Sequence, residues 1–280
     1  MKIIRKISEA KSLSDVLHIK QVTVGFVPTM GALHEGHLAL VKRCKEENDI
    51  CIVSIFVNPI QFNNTADYTN YPRDAEQDAL MLTSVGCDIL FEPTAEEMYP
   101  VPETAEYHFD GLERQMEGEF RPGHFNGVAI VVKKLFEITT PDKAYFGEKD
   151  FQQLLIVERL VQQLNLPVKI VNCPIVREAD GLAMSSRNRR LNVKERECAS
   201  HVPRIMRHTL QMSSTCSPDQ IREWVTDECN RIDGLKLDYF EIADNKALLP
   251  VNAWNARNTA IGFIAVFVGP VRLIDNIKYY

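Results

Sequence analysis

Near the start of the chain, mostly apolar residues occur in two runs with a more polar gap between them. Residues 22–28 (VTVGFVP) are rich in β-branched side chains, a pattern that predicts a buried strand. Residues 30–37 (MGALHEGH) form the gap, and an apolar pattern with helical spacing begins at Leu38. Residues 50–57 (ICIVSIFV) are almost entirely apolar, as expected of a strand that is covered on both faces. Strand, helix and strand in this order predict a βαβ unit and a parallel sheet.

The same alternation of short apolar segments and helical patterns continues through the first part of the chain. Further strands are predicted at residues 88–91, 143–146 and 168–173, and further helices at 74–84 and 150–163. Residues 128–138 fit a strand or a helix, and their length and the Lys133–Lys134 pair favour a helix. We therefore expect an α/β fold, with a Rossmann-like parallel sheet in a domain over residues 1–176.

Beyond residue 191 the order of the predicted elements changes. Amphipathic helical patterns at 193–212 and 218–232 come before strand patterns at 235–243, 259–268 and 271–275. Helices followed by antiparallel strands are typical of an α+β domain. We expect a smaller C-terminal domain of this class over residues 177–280.

Composition and charge exclude several classes of protein. The chain has 280 residues and a net charge of −6 without a basic run, which argues against general nucleic-acid binding. The first residues lack a long apolar core and the apolar run at 260–268 is too short to span a bilayer, so we expect neither a secretory signal nor a membrane segment. The seven cysteines are scattered without a C-x-x-C pair, which predicts free thiols in a reducing cytoplasm.

The gap at residues 30–37 has the features of an anion site. A loop between a strand and a helix places free backbone N–H groups and the positive end of the helix dipole at one point. Gly31 and Gly36 allow a ligand to approach the backbone, and His34 and His37 add side-chain donors. This pattern predicts a site for nucleotide phosphates, and the alternative is a surface loop with two solvated histidines.

Two later loops also carry groups suited to phosphate. Lys149 lies where a predicted strand gives way to a helix, with Asp150 at the N-cap position. Ser185, Ser186 and Arg187 supply two hydroxyls and a guanidinium, which can stabilise charge on a leaving pyrophosphate. The alternatives are a surface lysine in the first loop, and a helix cap with a surface arginine in the second.

Two polar residues follow the second predicted strand. Gln61 offers a donor and an acceptor on one planar amide, which suits a hydroxyl or a carboxylate, and the alternative is an amide that caps a turn. Asp78 lies on the next predicted helix, where it is a candidate magnesium ligand or a solvated carboxylate.

Several segments together resemble the pantothenate synthetase (pantoate–β-alanine ligase) family of the nucleotidylyl-transferase superfamily, whose signature is HxGH. They keep the family's order over most of residues 25–191 and read PTMGALHEGH, FVNPIQF, YPRD, RPGHFNGV, PDKAYFGEKDFQQL and READGLAMSSRNRRL. The resemblance implies an ATP- and Mg²⁺-dependent ligase that joins pantoate to β-alanine through a pantoyl adenylate and releases AMP and pyrophosphate. It also implies a homodimer and a C-terminal domain that acts as a lid.

The family's site residues carry over to this chain by motif. The resemblance implies ATP contacts at Met30, Gly31, Ala32, Leu33, His34, Glu35, Gly36, His37, Gly147, Glu148, Lys149, Asp150, Val176, Met184, Ser185, Ser186 and Arg187. It implies catalytic roles for His34, His37, Lys149 and Arg187. It places pantoate against Gln61 and Gln153, and magnesium near Asp78 and Asp150.

Two other functions remain open on these residues. A related enzyme would transfer AMP or CMP to a phosphorylated substrate, although the neutral side chains of Gln61 and Gln153 suit an acceptor without phosphate. A non-catalytic nucleotide sensor would use the C-terminal domain as its output, although the retained histidines, Lys149 and Arg187 argue against it.

Overall fold

Six parallel strands form the sheet of the N-terminal unit in a computed structural model, which describes residues 1–63, 65–254 and 259–279. Two units are distinguished. The first contains Met1–Glu148 and Gln152–Pro174, and the second contains Lys149–Phe151 and the described residues from Ile175 onward. The predicted α/β class is confirmed for the first unit, and the domain boundary at residue 176 stays a prediction.

The sheet of the first unit has the strand order β1-β4-β3-β2-β5-β6, and each neighbouring pair is parallel. Its strands are β1 (Lys2–Ile4), β2 (Val24–Thr29), β3 (Ile50–Ile55), β4 (Ile89–Phe91), β5 (Lys143–Gly147) and β6 (Lys169–Cys173). The chain builds outward from β2 to β3 and β4 on one side, and then returns to add β5 on the other side. Ligands bind at such a switch point, outside the carboxyl ends of the strands.

The pairing of β2 with β5 ends early. Six residues of β2 pair with β3, whereas only Gly25 and Phe26 pair with β5. The carbonyl of Val24 accepts from Asp142 N at 2.9 Å, so by strand alternation the backbone nitrogen of Pro28 also faces β5. Because proline has no N–H, it cannot extend this ladder. The two strands are therefore not paired with each other at their carboxyl ends, where the histidine loop follows β2.

Helices cover the sheet of the first unit. They are α1 (Ile7–Ile19), α2 (Glu35–Glu47), α3 (Thr65–Thr69), α4 (Ala75–Ser84), α5 (Ala95–Met98), α6 (Glu117–Phe120), α7 (His124–Thr139) and α8 (Phe151–Gln163), of which α8 starts in the second unit. Short 3₁₀ turns lie at Pro59–Gln61, Leu112–Arg114 and Glu148–Asp150. A buried cluster that includes Val27, Val41, Val53 and Leu82 packs α2 and α4 against the sheet.

The second unit contains an antiparallel sheet with helices, as predicted. Its strands follow in the order β7 (Leu235–Asp244), β8 (Ala260–Val268) and β9 (Val271–Lys278). Its helices are α9 (Val193–Ala199), α10 (His201–Met212) and α11 (Pro218–Asn230). The helical pattern at 193–212 is divided into two helices at Ser200. Pro203 therefore lies in the first turn of α10, where backbone N–H groups make no bond within the helix and a proline is tolerated. Within the described residues, every helix is too short or too polar to span a bilayer.

Candidate active site

The two histidines hold the N-terminus of α2 together. His34 is the N-cap, and its Nδ1 accepts from Gly36 N at 3.1 Å, while His37 Nδ1 accepts from His34 N at 3.3 Å. Each Nδ1 uses its lone pair in this way, so the proton of each neutral imidazole is on Nε2. The rings lie 4.0 Å apart between centroids. The two imidazoles therefore lie side by side at the positive end of a helix, a position that favours an anion.

Asp78 of α4 fixes the shape of the loop that precedes the histidines. Its carboxylate accepts from Ala32 N at 2.8 Å and from Leu33 N at 2.7 Å. Gly31 and Ala32 have positive φ values of 81° and 50°, a backbone shape that needs such support at a non-glycine residue. Asp78 is 1% exposed, so the alternative of a solvated carboxylate is wrong. Its predicted role as a magnesium ligand stays a prediction.

Gln61 lies beside the histidine loop in the same unit. Its Nε2 donates to Met30 Sδ at 3.0 Å, and its Oε1 accepts from Asn58 Nδ2 at 3.1 Å. The side chain of His124, at the start of α7, donates from Nδ1 to the carbonyl of Gln61 at 2.9 Å. Gln61 is 7% exposed. The structure thus brings Gln61 and Met30 together, as the prediction of one site requires.

Neighbouring glutamines at the start of α8 differ in their hydrogen bonds. The amide of Gln152 is buried and satisfied by backbone groups, since it accepts from Glu117 N and donates to the carbonyls of Leu112 and Gln115. The amide of Gln153 is half-buried and makes no hydrogen bond with the rest of the described chain. Of the two, Gln153 is the one whose amide is available to a ligand.

Lys149 belongs to the second unit, together with Asp150. Its carbonyl accepts from Asn276 Nδ2 of β9 at 2.9 Å, and its Nζ lies 3.8 Å from Asp150 Oδ1. The Lys149 side chain is 17% exposed, so the alternative of a solvated surface lysine is wrong. Strand β9 therefore fixes the backbone that carries this ammonium group.

The serine loop, residues 184–187, lies in the same unit. The carbonyl of Val176 accepts from Met184 N at 3.0 Å, which closes a short hairpin. Ser185 caps the 3₁₀ turn Ser186–Arg190, because its Oγ accepts from Arg187 N at 3.3 Å. The alternative prediction of a helix cap is therefore correct for Ser185. Ser186 is buried, with 6% of its surface exposed.

Strand β9 contacts both the Lys149 segment and the hairpin that leads to the serine loop. Asp275 receives two hydrogen bonds from the guanidinium of Arg177, at 2.7 Å and 3.0 Å, and Arg177 begins the hairpin that leads to the serine loop. The next residue, Asn276, holds Lys149. Lys149 and the serine loop are thus organised by adjacent residues of one strand.

The predicted site residues are divided between the two units. The first unit holds Met30 to His37, Gln61, Asp78, Gly147, Glu148 and Gln153, and the second holds Lys149, Asp150, Val176 and Met184 to Arg187. A Cβ on Gly147 would meet no atom within 4 Å, so nothing in the described chain requires a glycine there. The described residues contain no group of three or more His, Cys, Asp or Glu arranged to hold a metal ion.

Three residues that support the site were missed in the sequence. Asn58 stands in the segment FVNPIQF, where the Asn-Pro pair that ends a strand was the available signal. The Tyr99 hydroxyl donates to Asn58 Oδ1, 41 residues earlier, and Asn276 donates to the carbonyl of Lys149, 127 residues earlier. No local pattern indicates either contact.

Comparison with known proteins relates the whole chain to one kind of enzyme. A family model described as pantoate-beta-alanine ligase matches residues 2–278. Pantothenate synthetase of Porphyromonas gingivalis is 47% identical over 279 residues, which cover 100% of this chain and 99% of that protein.

Solved structures agree with this result. The crystal structure of pantothenate synthetase from Thermus thermophilus matches with a TM-score of 0.92 at 40% identity, and the match covers 100% of both chains. Pantoate-beta-alanine ligase from Francisella tularensis, complexed with beta-gamma ATP and beta-alanine, matches with a TM-score of 0.84 at 38% identity over 100% of this chain and 98% of that one.

Proposed function

The chain belongs to the pantoate–β-alanine ligase family, and from this membership we propose that it condenses pantoate with β-alanine, using ATP, by way of a pantoyl adenylate. The observation in the molecule that carries the proposal is the pair of imidazoles at the N-terminus of α2, each with Nδ1 bound to the backbone and Nε2 protonated. This arrangement suits an electron-rich phosphate.

Two chemical steps account for the products. In the first, a carboxylate oxygen of pantoate attacks the α-phosphorus of ATP, and the bond from that phosphorus to pyrophosphate breaks. In the second, the amine of β-alanine attacks the acyl carbon, loses a proton, and AMP leaves with the oxygen that came from pantoate. The first step depends on charge stabilisation around phosphorus more than on a protein nucleophile.

We assign the protein groups by their chemistry. His34, His37 and Lys149 donate to the transferring α-phosphate, and Arg187 stabilises the charge that grows on the leaving pyrophosphate. Backbone and hydroxyl groups from the glycine-containing loops and from the serine loop complete the ATP site.

Magnesium enters this scheme with ATP. Hard oxygen ligands suit Mg²⁺, which usually keeps several waters and binds substrate phosphates with one or two carboxylates. Both oxygens of Asp78 accept backbone N–H groups, whereas Asp150 is half exposed beside Lys149. We therefore propose Asp150 as the carboxylate nearer to the ion, and a structural role for Asp78.

Pantoate is assigned to the amides of Gln61 and Gln153. A neutral amide bonds a hydroxyl and a carboxylate without the net positive charge that a phosphorylated acceptor requires. This distinction favours the ligase over an enzyme that transfers AMP or CMP to a phosphorylated substrate.

We also propose that the protein works in the cytoplasm. The support is that all seven cysteines are free thiols. The homodimer implied by the family resemblance stays a prediction.

The direct test is AMP release from ATP, measured with each substrate omitted in turn. We expect AMP only when pantoate and β-alanine are both present, together with one pantothenate per AMP. ADP as product, or transfer to a phosphorylated acceptor, would contradict the proposal. Nucleotide binding without turnover would favour the sensor instead.

A further inference from the structure

Resting on the proposed function, we propose that Tyr99 is a positioning residue for pantoate: through Asn58, it makes the amide of Gln61 present N–H to the substrate. All three residues belong to the first unit, and Tyr99 directly follows helix α5. The proposal adds to the assignment of Gln61 a reason for the direction in which its amide points.

A chain of hydrogen bonds connects the three side chains. The hydroxyl of Tyr99 donates to Asn58 Oδ1 at 2.8 Å. Asn58 Nδ2 donates to Gln61 Oε1 at 3.1 Å and to the carbonyl of Gly127 at 3.1 Å. Asn58 is 1% exposed, so water does not compete for these bonds.

The carbonyl of Gly127 decides the direction of the whole chain. A carbonyl only accepts, so the side-chain atom of Asn58 that faces it is the amino group. The Oδ1 of Asn58 must then face Tyr99, which donates, and the other N–H of Asn58 requires an acceptor on Gln61. Gln61 therefore turns Oε1 toward Asn58 and its Nε2–H group toward Met30 of the histidine loop.

The environment of Tyr99 keeps its hydroxyl a donor. Its ring packs on Phe56 with centroids 6.0 Å apart, and Lys134 Nζ lies 4.9 Å from the ring centroid. Burial raises the pKa of the Tyr99 phenol, so the group stays protonated at physiological pH. The backbone of Gly127 also lies close to Gln61, since a Cβ on Gly127 would be 2.7 Å from Gln61 Cα.

Loss of the Tyr99 hydroxyl leaves a buried acceptor on Asn58 without its donor. An unsatisfied buried group of this kind costs enough to change an equilibrium by about tenfold. Asn58 then keeps its bond to the carbonyl of Gly127 but loses the bond on its Oδ1, so its amide is held less firmly against Gln61 and the N–H that pantoate requires is less firmly fixed. The chain reaches the histidine loop only through the contact of Gln61 Nε2 with Met30 Sδ, and sulfur is a weak acceptor, so we expect ATP binding to change much less than pantoate binding.

The test is Tyr99→Phe, with Tyr107→Phe as the matched control. Tyr107 is also half-buried, and its hydroxyl has no hydrogen-bond partner in the described chain. We expect Tyr99→Phe to raise KM for pantoate by about tenfold, with KM for ATP and for β-alanine within about twofold of wild type, and Tyr107→Phe to change none of the three. An unchanged KM for pantoate, or an equal rise in all three constants, would overturn the proposal.

A double-mutant cycle separates positioning from a general loss of structure. In a Gln61→Ala background, Tyr99→Phe should cause no further rise in KM for pantoate, because the amide that it positions is already gone. Additive effects would contradict the proposal. If Tyr99→Phe does not fold, Asn58→Asp replaces it in both experiments, since a carboxylate cannot donate to Gln61 or Gly127.

The two proposals fail in different ways. Wild-type AMP release that depends on pantoate, combined with a normal Tyr99→Phe enzyme, would reject the role of Tyr99 alone. A wild-type chain that releases no AMP when pantoate and β-alanine are both present would reject both.

Discussion

At the residue scale, each imidazole of the histidine loop has two functions. Its Nδ1 accepts from a backbone N–H at the start of α2, and its Nε2 is the donor that we propose for phosphate. Structural and chemical roles are therefore combined in one side chain. A substitution by alanine removes both, so its effect on rate alone does not identify the chemical role.

Two substitutions of His34 separate these roles. Asparagine is among the best N-cap residues, so His34→Asn should keep the free energy of unfolding within a few tenths of a kcal/mol, whereas His34→Ala should lower it by about 1 kcal/mol. Both should slow adenylate formation by about 10²- to 10³-fold, because both lose the Nε2–H donor. Denaturant melts measure the free energy of unfolding, and pyrophosphate release measures adenylate formation. Wild-type pyrophosphate release by His34→Asn would show that the imidazole is only a cap.

At the element scale, the carboxyl ends of β2 and β5 are not paired with each other, which leaves a gap at the carboxyl edge of the sheet. The proline in β2 stops the ladder between these strands, and each strand leads directly into a loop assigned to ATP. Two glycines of the first unit differ in what surrounds them. Gly127 lies against backbone, whereas the space around Gly147 is empty.

Alanine substitutions test this difference. Gly127→Ala should lower the free energy of unfolding by about 2 kcal/mol or more, because its Cβ would lie 2.5 Å from the carbonyl oxygen of Ile60. Gly147→Ala should leave stability within about 0.5 kcal/mol of wild type and raise KM for ATP, because there the glycine is required by the ligand. Thermal melts measure the stability of each variant, and initial rates at varied ATP give its KM for ATP. An unchanged KM for ATP in Gly147→Ala would remove Gly147 from the site.

A second prediction at this scale concerns the C-terminal end of α2. The Arg43 guanidinium, with the Tyr145 hydroxyl and the Lys143 ammonium group, holds the pKa of Glu47 at about 2, below its ordinary value of 4.5. Because the pKa is lowered on folding, the stabilisation is complete above about pH 4.5 and is lost as the pH falls toward 2.

The test is the stability of Glu47→Gln as a function of pH. We expect a loss of about 1 kcal/mol or less at pH 7, since the pairs are partly exposed, and a loss that disappears near pH 2. Glu46→Gln, at an exposed residue of the same helix without an ion pair in the described chain, is the control and should show no such dependence. A difference between wild type and Glu47→Gln that is constant with pH would contradict this account.

At the scale of the whole molecule, the residues that could be predicted from sequence are those with local signals. The strand–loop–helix around His34 follows from periodicity and glycine placement over a few residues. Asp78 shows the limit, because its polar side chain on an amphipathic helix gives no sign that it binds backbone 46 residues earlier. The sequence also gives no sign of the contact of Asn276 with Lys149, because this contact depends on how β9 packs in the second unit. Tertiary contacts thus determine which polar residues support the site.

The central claim is that a pantoate carboxylate oxygen attacks the α-phosphorus of ATP. It is tested most directly with pantoate labelled with ¹⁸O in its carboxylate, followed by mass spectrometry of the products. The account predicts that AMP gains one labelled oxygen, that pyrophosphate gains none, and that no label moves when β-alanine and pantoate are supplied without ATP. Label in inorganic phosphate with ADP as the nucleotide product, or AMP without label, would contradict it.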